Sequence, residues 1–181
     1  VPEGAKLTIM AGGELILTNS AELVVEGTLE IEEASTSPAA DAGKLEIVKA
    51  DVTVSGSIVN NGEIAIGVAS YYKAGETTAT DSSKYSTGVL TIAQDGVVTV
   101  GENGKITTDV RGKVVVDKSA TLDVKGLIAG SNIYNAGTVT IDSSVPAESG
   151  ATIYQTADGA AVDVINYTKL ANATADLDIT D

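Results

Sequence analysis

The chain has 181 residues, of which 43% are hydrophobic but only 3% aromatic, and it carries a net charge of −14 from 25 acidic and 11 basic side chains. It contains no cysteine and no histidine, which excludes disulfide frameworks, thiolate and imidazole metal sites, and Ser-His-Asp or Cys-His catalysis. Clustered cations for phosphate are lacking, so nucleic acid is a poor partner, and no apolar run reaches the ~20 residues of a membrane-spanning helix.

A five-residue phrase recurs along the chain: a small residue, any residue, an aliphatic, any residue, an aliphatic. It opens as Ala5-Lys6-Leu7-Thr8-Ile9 and returns as Gly13-Glu14-Leu15-Ile16-Leu17, Ala21-Glu22-Leu23-Val24-Val25 and Gly27-Thr28-Leu29-Glu30-Ile31. Alternation over so few positions is the period-2 signature of a short strand. The small residue marks the corner before it, where glycine is expected to supply a left-handed backbone. Asn60-Asn61-Gly62 and Asn135-Ala136-Gly137 read as turns at such corners. The aliphatic positions, among them Leu15, Leu23, Leu29, Ile47, Val54, Ile66, Ile92, Val100, Val116 and Val124, are expected to point inward. Outward positions are expected at Thr8, Ile16, Val24, Glu30, Glu46 and Thr53.

Strands are expected to begin at Leu7, Leu15, Leu23 and Leu29, and later at Leu90, Val98, Ile106, Val114 and Leu122. Three such steps sum to about 22–24 residues, the size of one three-sided coil of a parallel β-helix. The steps mix lengths instead of holding the strict six of the left-handed hexapeptide form. The fold expected is therefore all-β: a right-handed parallel β-helix, a three-sided solenoid of about six coils, forming one domain over residues 1–181. Two corner-loop insertions interrupt it, at 32–42 and 67–87, and the part from 143 to 181 is less regular. The second insertion carries Tyr71, Tyr72, Lys73 and Tyr85, which make it the candidate binding loop, because tyrosine offers large contact area at low entropy cost.

The stacked strands leave open edges at both ends, and no amphipathic helix is evident to cap them. Either neighbouring domains of a longer surface protein cover those ends, or copies of the chain stack on one another, or the region from Ser143 folds back as a cap. Residues 1–33 and 142–181 each sum to −6. Both ends are thus acidic, which suits bridging cations or basic partners.

With its Val1-Pro2-Glu3-Gly4-Ala5-Lys6-Leu7-Thr8-Ile9 opening, its Gly-x-Leu-x-Ile phrases and its Asn-Asn-Gly and Asn-Ala-Gly turns, the chain resembles the parallel β-helix repeats of bacterial and archaeal cell-surface, S-layer-associated and adhesin-like proteins. The resemblance implies an extracellular structural protein, a subunit of a cell-surface stalk, lattice or filament that self-associates end to end. The alternative is a glycan- or protein-binding adhesin module that uses the loop 67–87.

An enzyme is not expected. Arg111 is the single arginine, with Asp109, Asp117 and Asp123 near it in sequence, but acids are plentiful enough for such pairs to arise without purpose, and there is no tryptophan platform for sugar. No cofactor is expected, and no metal ligand set can be named. Calcium at an interface or loop is the cation that hard oxygen donors suit best. Asn166-Tyr167-Thr168 and Asn172-Ala173-Thr174 make Asn166 and Asn172 candidate glycosylation sites.

Overall fold

The computed structural model describes residues 1–67, 87–109, 111–157, 160–168 and 177–180. Among them there is no helix, and nearly every element is a strand of four residues or so. Each copy of the phrase becomes one strand: β1 (Lys6–Ile9), β2 (Glu14–Leu17), β3 (Glu22–Val25) and β4 (Thr28–Ile31) from the first four. A small antiparallel hairpin, β5 (Ser35–Thr36) and β6 (Ala39–Ala40), fills the first insertion. The series resumes with β7 (Lys44–Ile47), β8 (Asp51–Val54), β9 (Ser57–Asn60) and β10 (Glu63–Ile66). After the second insertion come β11 (Val89–Ile92), β12 (Val97–Val100), β13 (Lys105–Thr108), β14 (Lys113–Val116), β15 (Thr121–Val124), β16 (Leu127–Ala129), β17 (Ser131–Asn135) and β18 (Thr138–Ile141). The last three are β19 (Gly150–Ala157), β20 (Ala160–Thr168) and β21 (Leu177–Thr180).

Apart from the β5–β6 hairpin, three sheets result, and consecutive strands visit them in rotation as far as β18. Sheet A runs β1-β4-β9-β12-β15-β18-β21, sheet B runs β2-β7-β10-β13-β16, and sheet C runs β3-β8-β11-β14-β17-β19-β20. Sheet B is parallel throughout, and A and C are parallel up to their last strands. There β21 pairs with β18, and β20 with β19, in the antiparallel sense. The region from Ser143 thus folds back on two of the three sheets. At the other end β1, β2 and β3 are the outermost strands.

Register is kept from strand to strand. Lys6 pairs with Thr28 and Val97 with Thr121, so phrases 22 and 24 residues apart lie side by side. Aliphatics therefore stack on aliphatics: Leu7 on Leu29 and Ile58 in sheet A, Leu45 on Ile64 and Ile106 in sheet B. The inward faces of all three sheets contribute to one continuous core. Leu29, Ile47, Val54, Ile66, Ile92, Val100, Val116 and Val124 are fully buried in it, as their place in the phrase predicts. Leu15 and Leu23, on the outermost strands, pack against the core but stay partly exposed. Each fully buried Leu, Ile or Val contributes roughly 1.5–3 kcal/mol relative to exposure.

Two local readings need correction. Asn60 and Asn135 stand within strands, ahead of the turns they were expected to form, although Asn135 Oδ1 does accept from the Gly137 amide at 3.0 Å as a turn asparagine would. They are the last residues of β9 and β17, fully buried, and Asn60 stands between Ile31 and Val100. Their amides are tied down, Asn60 Nδ2 donating to the Lys105 carbonyl at 2.9 Å and Asn135 Nδ2 to Gln155 Oε1 at 3.0 Å. The glycine of the phrase is also small for another reason. Positive φ falls mostly one place earlier, at Gly4, Gly12, Ser20, Lys49, Asp95 and Ser119. The phrase glycine itself lies where a Cβ would strike the backbone of the neighbouring strand connection: at Gly56 it would sit 2.1 Å from the Gly27 carbonyl oxygen.

Candidate functional site

With the interior apolar, any chemistry resides on the outward positions, the corners and the open edges. The first outward position of sheet B forms a column in which Glu14, Lys44, Glu63 and Lys105 lie side by side. Lys44 Nζ is 3.6 Å from Glu14, and Lys105 Nζ is 3.3 Å from Glu63. In the next outward column, Glu46 and Ala65 are adjacent and both buried, with Glu46 only 3% exposed. Glu46 pairs with Lys44 on its own strand. Burial acts to lower the Lys44 pKa, but the hydrogen bond to Glu46 and the fields of Glu46, Glu63 and Glu14 outweigh it, so the ammonium titrates above the ordinary lysine value.

That pair makes a testable prediction. A lysine pKa raised by folding adds stability that is complete below the unfolded value of about 10.4 and fades as pH rises through the folded one. Denaturant titrations between pH 9 and 11.5 should show this loss in the native chain and lose part of it in Lys44→Met. At neutral pH, Lys44→Met should cost about 2 kcal/mol by leaving the Glu46 carboxylate buried without its cation, a figure discounted because Lys44 is itself partly solvated. Adding Glu46→Gln should recover much of it.

Sheet C presents an aromatic pair. The rings of Tyr134 on β17 and Tyr154 on β19 stack with centroids 4.8 Å apart and planes 15° from parallel, and Lys113 Nζ lies 5.9 Å from the Tyr134 ring centroid. Tyr134 remains 37% exposed. The sequence reading attended to the loop tyrosines and missed these two. Their signal was present as Asn132-Ile133-Tyr134-Asn135 and Thr152-Ile153-Tyr154-Gln155, the same inward-outward phase on two strands that pair in register.

Beside the first insertion an open cleft of about 500 Å³ is lined by Glu30, Glu32, Glu33, Ser35, Thr36 and Asn61, among others. All three of these carboxylates are engaged: Glu30 is ion-paired with Lys6, Glu32 accepts from the Ala11 amide at 3.0 Å and Glu33 from Asn103 Nδ2 at 2.6 Å. Among the described residues no three acidic side chains are gathered as a metal ligand set, and no helix is long and apolar enough to cross a membrane. Asp109 and Arg111 follow β13, Asp117 follows β14, and Asp123 points outward from β15. These four are thus spread over two connections and a sheet face.

Tyr71, Tyr72, Lys73 and Tyr85 lie outside the described residues, as does Asn172. Asn166 falls on β20, opposite Thr152 of β19. Compared with family models, curated proteins and solved structures, the chain matches none.

Proposed function

We propose that this chain is an extracellular structural element: a right-handed, three-sided parallel β-helix of about six coils that serves as a rigid segment of a cell-surface stalk, lattice or filament and joins other coils end to end. The observation that carries the reading is the open edge formed by β1, β2 and β3, where Leu7 is 38% exposed and Leu15, Leu17 and Leu23 are only partly covered. Unpaired strand edges backed by aliphatic side chains favour the addition of further strands. Adding strands at ~4.8 Å each lengthens the body without altering its cross-section. Resemblance to surface-protein repeats supports the extracellular setting.

Electron microscopy of the purified chain tests this. Rods about 20 Å wide are expected, a width set by two sheet spacings of ~10 Å, with a long axis of at least the ~30 Å that seven strands span. Compact particles of uniform size, lacking an elongated axis, would sink the proposal.

A second reading, a glycan- or protein-binding adhesin module, draws on the exposed Tyr134–Tyr154 stack and its neighbouring lysine, a surface of the kind that sugar rings and cationic side chains pack on. A glycan array separates the two. Specific binding lost in Tyr134→Ala, or on deleting residues 67–87, would favour the adhesin.

A further inference from the structure

We infer that the N-terminal end of the chain is a docking face for one further parallel coil, and that this coil carries lysine or arginine opposite Glu14 and Glu22. The inference rests on the coil-stacking reading above and specifies the partner's chemistry. The face lacks one aliphatic layer. Leu7, Leu15 and Leu23 are partly uncovered, whereas Leu29, Leu45 and Val52, which stand on them in the next layer, are fully buried.

One residue of the chain already occupies the position above that face. The Val1 ammonium donates to the Val24 carbonyl at 2.7 Å, and the Val1 carbonyl accepts from the Glu26 and Gly27 amides at 2.8 and 3.1 Å. The Val25 carbonyl accepts from Ser55 and Gly56 in the same way, at 3.0 and 2.9 Å. Val1 therefore stands on Val25 as Val25 stands on Val54, in parallel register. The turn that follows Val1 also repeats one deeper in the chain. The Ala5 amide donates to the Pro2 carbonyl with Gly4 at φ 74°, and the Ala120 amide donates to Asp117 with Ser119 at φ 65°.

Charge defines what the layer must carry. The column Glu14, Lys44, Glu63, Lys105 alternates in sign and reaches the open edge on an acid. On sheet C the edge residue Glu22 stands beside Asp51, two acids in adjacent positions. On sheet A the edge residue is itself a cation, Lys6, ion-paired with Glu30. A complementary layer thus needs cations over β2 and β3 and none over β1, since opposite charges in adjacent register are favoured and like charges are not.

A second copy does not supply this. Its C-terminal end would bring Leu127 into the Glu14 column, while sheets A and C finish there in antiparallel strands. Its N-terminal end would set acid against acid. The chain does contain one layer of the required kind: β12, β13 and β14 begin at Val97, Lys105 and Lys113, the same spacing as Lys6, Glu14 and Glu22.

The test uses that layer as the probe. Residues 97–115 are copied directly ahead of Val1 in the full chain, so that Val1 takes the place of Val116. The expected result is a higher melting temperature and at least tenfold slower hydrogen exchange at edge-facing amides of β1, β2 and β3. Lys105→Glu and Lys113→Glu in the copy alone should abolish most of that gain while leaving exchange in β9 and β12 unchanged. With only Lys113→Glu in the copy, Glu22→Lys in the body should restore the part lost at sheet C.

Equal protection by the lysine and glutamate copies would overturn the required chemistry. No protection by either would overturn the docking face itself. If sedimentation shows the unmodified chain dimerising with those same amides protected, a second copy is the occupant and the inference fails. Rods in micrographs without edge protection sink this inference alone, whereas compact particles sink the stalk reading first.

Discussion

Val124→Asp is expected to destabilise the chain more than any outward-facing substitution. Val124 is fully buried in sheet A, between Val100 and Ile141, with aliphatic side chains across the core. A carboxylate there has neither cation nor donor, and it also removes a packed side chain. The combined cost is about 4 kcal/mol or more, a large share of a typical domain stability of ~5–15 kcal/mol. Thr91→Asp is the matched control, because Thr91 faces outward from β11 between Thr53 and Val115. Its cost should stay within about 0.5 kcal/mol. Urea denaturation of both variants, followed by far-ultraviolet circular dichroism, measures the contrast; a larger loss for Thr91→Asp would mean that the strand faces are reversed.

The second large effect is expected at the corners. A Cβ at Gly56 would lie 2.1 Å from the Gly27 carbonyl oxygen and 2.3 Å from that of Glu26. Both are backbone atoms held by the ladder and cannot swing aside, so Gly56→Ala should cost about 3 kcal/mol, the upper end for overpacking. Gly4 is a different case, with open space around it but a φ of 74°. Alanine there should cost about 1 kcal/mol, and asparagine, which tolerates the left-handed region, less. Asparagine at Gly56 should be at least as damaging as alanine. If Gly4→Asn and Gly56→Asn lose equal stability in thermal melts, the close-approach account is wrong.

The inward and outward phase of the strands was legible because each strand contains the same alternation and the register places like on like. Leu29, Ile47 and Val100 follow from their place in the phrase alone. The burial of Asn60 and Asn135 did not, because asparagine close before a glycine carries a strong local turn signal. Only the fold brings the Lys105 carbonyl of β13 to the Asn60 amide and Gln155 of β19 to that of Asn135. Burial of Glu46 was equally hidden. Its place in the phrase marks it as outward, and alternation says nothing about what lies over an outer face. The antiparallel ending of sheets A and C left little trace, since β20 alternates much as the parallel strands do. The stacked pair Tyr134 and Tyr154 was readable only once β17 and β19 were known to be neighbours, which is a long-range fact.

Because parallel neighbours within a sheet come from phrases 17 to 42 residues apart, the hydrogen bonds that join β12 to β15 also guard the chain between them. A load applied along the stacking direction would open those bonds one layer at a time, like a zip, instead of shearing them all together. Opening β12 from β15, 24 residues apart, replaces a rise of ~4.8 Å by a contour of roughly 80 Å, at ~3.4 Å per residue. Such a segment would yield in small repeated steps and close again from whichever layers survived. Force spectroscopy on a tethered chain would register this as a sawtooth of successive peaks, whereas a single rupture at high force would mean that the layers fail as one body.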